Sequence, residues 1–138
     1  MRGVLASIAC LAALQLAACQ PAALSCAPPG MPGTRVDFYF GMAIPGGGQV
    51  TETEWRSFLA EVMTPTFPDG LTAVGTDGQW RDTASGDVVR EPGKHVLVFA
   101  FADETLERKV AAVAEAYRDR FQQQAVLTSS EPSCIAFR

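Results

Sequence analysis

The residues equipped for chemistry crowd into one stretch of the chain. Asp69, Gln79, Trp80, Arg81, Arg90, Glu91 and Lys94 lie between positions 69 and 94. Trp80 offers a stacking surface, Arg81 and Arg90 together can grip a carboxylate through paired N–H donors, and Asp69 or Glu91 can accept a proton. Each also has a structural assignment. Asp69 sits in a P-D-G turn sequence, Arg81–Asp82 and Arg90–Glu91 can form solvated pairs of little energy, Trp80 can pack under a hairpin, and Lys94 can end a strand. His95 is out of phase with Val96 and Val98 and shares a face with Leu97 and Phe99, so a lone histidine there reads as structural. The chain holds no nucleophile elbow, phosphate-binding loop or dinucleotide fingerprint. Two widely separated cysteines and a single histidine give no metal-ligand spacing. No catalytic residue, metal or cofactor is therefore assigned.

The elements that must position these residues follow from periodicity. Val36, Phe38 and Phe40 alternate as the buried face of a strand over residues 35–41. Thr51 and Glu54 form a T-x-x-E capping box opening a helix with an apolar stripe at Trp55, Phe58, Leu59 and Val62, which Pro65 should stop. A strand over 71–74 leads into a glycine-bearing segment, 75–87, read as turns and a projecting hairpin around Gln79-Trp80-Arg81. Residues 94–101 read as a buried central strand. Asp103 should cap a second helix with core positions Leu106, Val110, Val113, Ala114, Tyr117 and Phe121. A last strand, 125–137, should break or bulge near Pro132. The order strand, helix, strand, strand, helix, strand implies an α+β fold, a ferredoxin-like split βαββαβ sandwich with an antiparallel sheet and two helices on one face.

The first residues have another purpose. Arg2 precedes an apolar run from Val4 to Leu16, too short to span a bilayer, which takes about 20 apolar residues. Small residues then stand at Ala17 and Ala18. Leu16-Ala17-Ala18-Cys19 resembles the lipobox of bacterial lipoproteins. That resemblance implies a signal peptide over 1–18 and a lipid-bearing Cys19, with Gln20 resembling proteins sorted to the outer membrane, facing the periplasm. Two or three acyl chains hold a protein stably on a membrane at about 0.8 kcal/mol per buried methylene. Residues 19–33, with four prolines, read as a tether, leaving the domain at 34–138. With Cys10 lost in the leader and Cys19 lipidated, Cys26 and Cys134 remain, and an exported protein favours a bridge between them over two free thiols. The formal charge is −4 and the basic residues are scattered, which argues against nucleic acid as a partner and against electrostatic docking on anionic lipid.

Phe40-Gly41-Met42, Val50-Thr51-Glu52 with Trp55, residues 64–72 (T-P-T-F-P-D-G-L-T), residues 78–82 (G-Q-W-R-D) and Val89-Arg90-Glu91-Pro92 are similar to blocks of the bacterial DUF3574 proteins. Where the family pattern has Glu-Ser before Val-Leu, this chain has Gln124-Ala125. The resemblance spans about residues 38–127 and implies a domain without supplying an activity. Two function classes follow. The favoured one is a membrane-anchored binding or accessory domain with an unknown protein or small-molecule ligand. The other is a small cofactor-independent enzyme whose pocket is made by the hairpin or by two sheets pairing in a homodimer.

Overall fold

The computed structural model describes residues 24–81 and 85–138. The expected signal peptide, Cys19 and the start of the tether lie outside the described residues, as does Asp82. Strand β1 (Met31–Gly41) leads through helix α1 (Glu52–Phe58), a π-helical turn (Leu59–Met63) and the short α2 (Thr64–Thr66) into β2 (Thr72–Arg81) and β3 (Val88–Phe101). Helix α3 (Leu106–Phe121) and β4 (Leu127–Ile135) complete the chain. The sheet runs β2-β3-β1-β4 with every neighbouring pair antiparallel. This is the expected split βαββαβ arrangement.

Alternation in β1 and β3 creates the two faces. Val36, Phe38 and Phe40 of β1 and Val96 and Val98 of β3 are buried against Trp55, Phe58 and Met63 and against Val110, Val113, Tyr117 and Phe121 of α3. Burying such side chains contributes roughly 1.5–3 kcal/mol each. The capping box forms as the spacing implies, with Thr51 N donating to Glu54 Oε2 at 2.8 Å and Glu54 N to Thr51 Oγ1 at 3.3 Å. Helix α3 begins after Thr105. Asp103 does not cap the helix itself but accepts from Thr105 N and Oγ1 in the turn before it, at 2.7 and 2.6 Å. Gln122 ends the helix in the left-handed conformation, φ 55°.

Four further local expectations are corrected. Pro65 does not stop the first helix. The π-helical turn sends the Thr64 amide to Leu59 O, five residues back, and this wider ladder admits a proline lacking an N–H, so the helix runs on to Thr66. Residues 75–81 hold no turns: they are the outer half of β2, paired to β3 as far as Arg81↔Val88, and the expected projecting hairpin forms as this β2–β3 pair. Strand β4 passes through Pro132 without a break, because β4 is an edge strand. Finally, β1 begins at Met31, inside the expected tether. Pro32 pairs with Cys134 beyond the point where β3 reaches, so one of its sides is open. The segment expected to be a tether is also tied to the sheet at Cys26, which is disulfide-bonded to Cys134 across 108 positions.

Candidate functional site

Strands β2 and β3 outrun β1, whose pairing with β3 ends at Gly41↔Gly93. The surplus, from Asp77↔Pro92 to Arg81↔Val88, is a two-stranded arm. Side chains alternate across it. The pairs Gly78↔Glu91 and Trp80↔Val89 face the side of Tyr39 and His95, while Gln79↔Arg90 and Arg81↔Val88 face the helix side. The stacking ring and the two arginines expected to act together are therefore on opposite faces. Arg81 Nε donates to Gly86 O at 3.0 Å, within the arm's own turn. Asp69 lines a separate pocket with Phe67, Phe101 and Lys109. Lys94 turns to the helix layer, where Nζ meets Glu52 Oε2 at 2.8 Å and lies 6.0 Å from the Trp55 ring centre. The Lys94 ammonium in turn holds the Glu52 carboxyl below its usual range.

What the structure does bring together is a cleft of about 750 Å³ between the arm, the end of β1, the turn at Ala43–Pro45 and the segment before β4. Tyr39, Trp80, Glu91, Gln123, Gln124 and Leu127 are among its walls. Gln79 and Lys94 also line it, so four of the seven expected residues border this space. Three blocks that carry the family resemblance meet here, at Phe40-Gly41, Gly78-Gln79-Trp80 and Val89 with Glu91. So does the Gln124-Ala125 departure.

Glu91 is the charged group of the cleft without a partner, since among the described residues no ion pair or hydrogen bond engages its carboxylate. Gly41 makes room for it, because a Cβ there would stand 3.3 Å from Glu91 Oε2. Beneath, Tyr117 is fully buried and donates to Gly41 O at 2.8 Å. Burial pushes its hydroxyl well above the ordinary tyrosine range, and the negative charge of Glu91 adds to the shift.

A second cluster, missed from the sequence, lies on the open face of the sheet. Asp37 is 6% exposed and its Oδ1 meets His95 Nε2 at 2.6 Å and Arg35 Nη2 at 3.0 Å, while Tyr39 stacks on the His95 ring at 4.6 Å. A carboxylate orienting an imidazole is the arrangement acid–base chemistry uses. His95 is outside the cleft lining. Burial alone would raise the Asp37 carboxyl, but hydrogen bonds from Arg35 and His95 outweigh it and the net direction is downward. A carboxyl with a lowered folded-state pKa contributes stability at neutral pH that is lost as pH falls from about 4 through the folded value. Asp37→Asn should therefore flatten the acid limb of a stability-against-pH curve below about pH 4. Urea midpoints at stepped pH check this, and an acid limb as steep as wild type would remove Asp37 from the explanation.

Solved structures with this fold include a phage SAM lyase in complex with S-methyl-5'-thioadenosine. It is 16% identical, with 76% of this chain and 90% of that one covered and a TM-score of 0.59. The same phage lyase in its apo state is 15% identical, covering 84% and 97%, with a TM-score of 0.55. CutA from Synechococcus elongatus PCC7942 is 10% identical, covering 75% and 77%, at 0.45. A search of curated proteins returns no match. Residues 35–137 match the model of a protein family of unknown function, DUF3574, and on that span the chain belongs to the DUF3574 family.

Proposed function

We propose that this protein is a lipid-anchored component of the bacterial cell envelope whose domain holds a small, flat molecule bearing hydrogen-bond donors or a positive charge. The observation that carries the binding reading is the unpartnered Glu91 carboxylate in a cleft walled by Tyr39 and a half-exposed Trp80. An aromatic wall with one free anion suits a ring that stacks and an amino or hydroxyl group that donates. The cleft volume is that of ordinary ligand sites, roughly 300–1,000 Å³. The S-methyl-5'-thioadenosine of the phage lyase complex has this chemistry and serves as a first probe. Anchoring rests on the lipobox, Leu16-Ala17-Ala18-Cys19, and is supported by the Cys26–Cys134 bridge, because disulfides persist outside the reducing cytosol. Gln20 favours the outer membrane, with the domain in the periplasm.

Two experiments test this. Palmitate should label the wild type and not Cys19→Ala; equal labelling overturns the anchor. Titration of the full chain with S-methyl-5'-thioadenosine and with free adenosine should quench the fluorescence of Trp80, identified by the loss of that signal in Trp80→Phe. Glu91→Gln should weaken binding by about 10–100-fold, the usual value of a hydrogen bond to a charged group. Binding that ignores both substitutions removes the cleft from the proposal.

A further inference from the structure

We infer that the open face of the sheet is a self-association surface, covered by the same face of a second copy of this chain. Antiparallel sheets that face water present polar side chains there. This face instead presents Tyr39, Val74, Phe99 and Leu127, exposed at 42, 47, 43 and 66%, with Leu97 between them. Cross-strand pairing gathers them into rows, Val74–His95–Tyr39–Leu127 and Thr72–Leu97–Asp37–Ser129, with Phe99 beside Arg35. The inference extends the proposed cleft, because Tyr39 and Leu127 wall that cleft and belong to this face.

Charge and area decide the occupant. The polar centre is paired inside the protomer, since Asp37 takes both Arg35 and His95 and Arg35 also reaches Glu131. Covering it strands no unpaired charge, the condition under which buried ions are tolerated. Against anionic lipid the face is poorly suited, with Asp37 and Glu131 set against Arg35 and no lysine. Four strands at about 4.8 Å spacing and the nine β1–β3 residue pairs at about 3.3 Å give a projected face of roughly 19 by 30 Å. Two such faces bury roughly 1,100 Å², above the ~1,000 Å² that a specific interface should clear. Two sheets packed about 10 Å apart would interdigitate these apolar rows. Copies anchored in one membrane plane, on the reading above, would meet at raised effective concentration.

The test places the photoreactive residue p-benzoylphenylalanine at position 99 of the full chain in living cells and identifies the adduct by mass. The expected product is two copies of this chain, with none from the same probe at Ala112, on the exposed side of α3. Val74→Glu, and independently Leu127→Glu, should lower the yield at least about tenfold by forcing an unpaired carboxylate into the layer. Both positions are solvent-exposed in the protomer, so unchanged melting of either variant shows that the fold survives. Adducts to lipid, adducts to another protein, no adduct, or a yield indifferent to both variants each overturn the inference. Palmitate labelling of the same cells reports the anchor separately, and ligand titration the cleft, so each reading can fail alone.

Discussion

Replacing both Cys26 and Cys134 with serine is expected to cost the domain about 4–5 kcal/mol, the loop-closure value for a bridge spanning about 100 residues. The bridge joins positions 108 apart, so nearly the whole domain lies inside the loop it closes. Small domains have only about 5–15 kcal/mol in hand, which makes this loss a large fraction of the total. The structure says where it falls first. Residues Met31 and Pro32 pair only with β4, because β3 reaches β1 no earlier than Gly33. Without the bridge this end of the sheet depends on one neighbour, and the chain from Leu24 to Gly30 keeps little beyond the Gly30 N–Ala27 O turn bond. Urea unfolding of the oxidised wild type, the wild type in reductant and the double variant should give one high and two coincident low midpoints. Three equal midpoints would show that the bridge adds nothing to stability. A reduced wild type more stable than the variant would place part of the cost in the serines.

The parts of the fold that the sequence disclosed are those written in short-range pattern. Alternation at Val36, Phe38 and Phe40, the capping box at Thr51 and the stripe from Leu106 to Phe121 each depend on neighbours within a few residues. What escaped depended on distant pairing. Gly75 and Gly78 read as turn residues, yet they occupy the edge strand β2, where a Cβ added at Gly75 would meet nothing within 4 Å and the missing side chain sacrifices no packing. Reading the hairpin of residues 75–87 with Gln79-Trp80-Arg81 at its tip rather than along a strand also misplaces the site. In a strand Trp80 and Arg81 must face opposite ways, so the Trp80 stacking surface and the Arg81–Arg90 pair cannot serve one ligand once the pairing is known. The Asp37–His95 contact is half legible. Alternation puts both residues on the face opposite the core, but only the register Asp37↔Leu97 and Tyr39↔His95 brings them within 2.6 Å. Pro65 shows a different limit. Its missing N–H is a real constraint, and the helix answers by widening into a π turn rather than stopping.

Phe40→Ala is the second change with a large expected effect, a loss of about 3–5 kcal/mol for a buried Phe truncated to Ala. Phe40 is 1% exposed and occupies the middle of the aromatic core, with ring centres at 4.6 Å from Tyr117, 5.3 Å from Trp55, and 5.7 Å from both Phe38 and Phe58. Four aromatic neighbours cannot all collapse into one vacated ring volume, which puts the cost toward the upper end of that range. At about 4–8 °C per kcal/mol for a domain near 100 residues, melting should fall by roughly 12–40 °C. Phe40→Leu, which keeps most of the volume, should lose far less. The consequence reaches the cleft, because Tyr117 packs on Phe40 and its hydroxyl holds the Gly41 carbonyl at the point where Gly41 admits Glu91. A cavity under Tyr117 frees that carbonyl to shift and with it the floor on which the Glu91 carboxylate rests. Calorimetry with and without S-methyl-5'-thioadenosine separates the two effects: Phe40→Ala should melt early and also gain less from the ligand than wild type gains. An early melt with an undiminished ligand shift would show that the core supports the fold without setting the cleft.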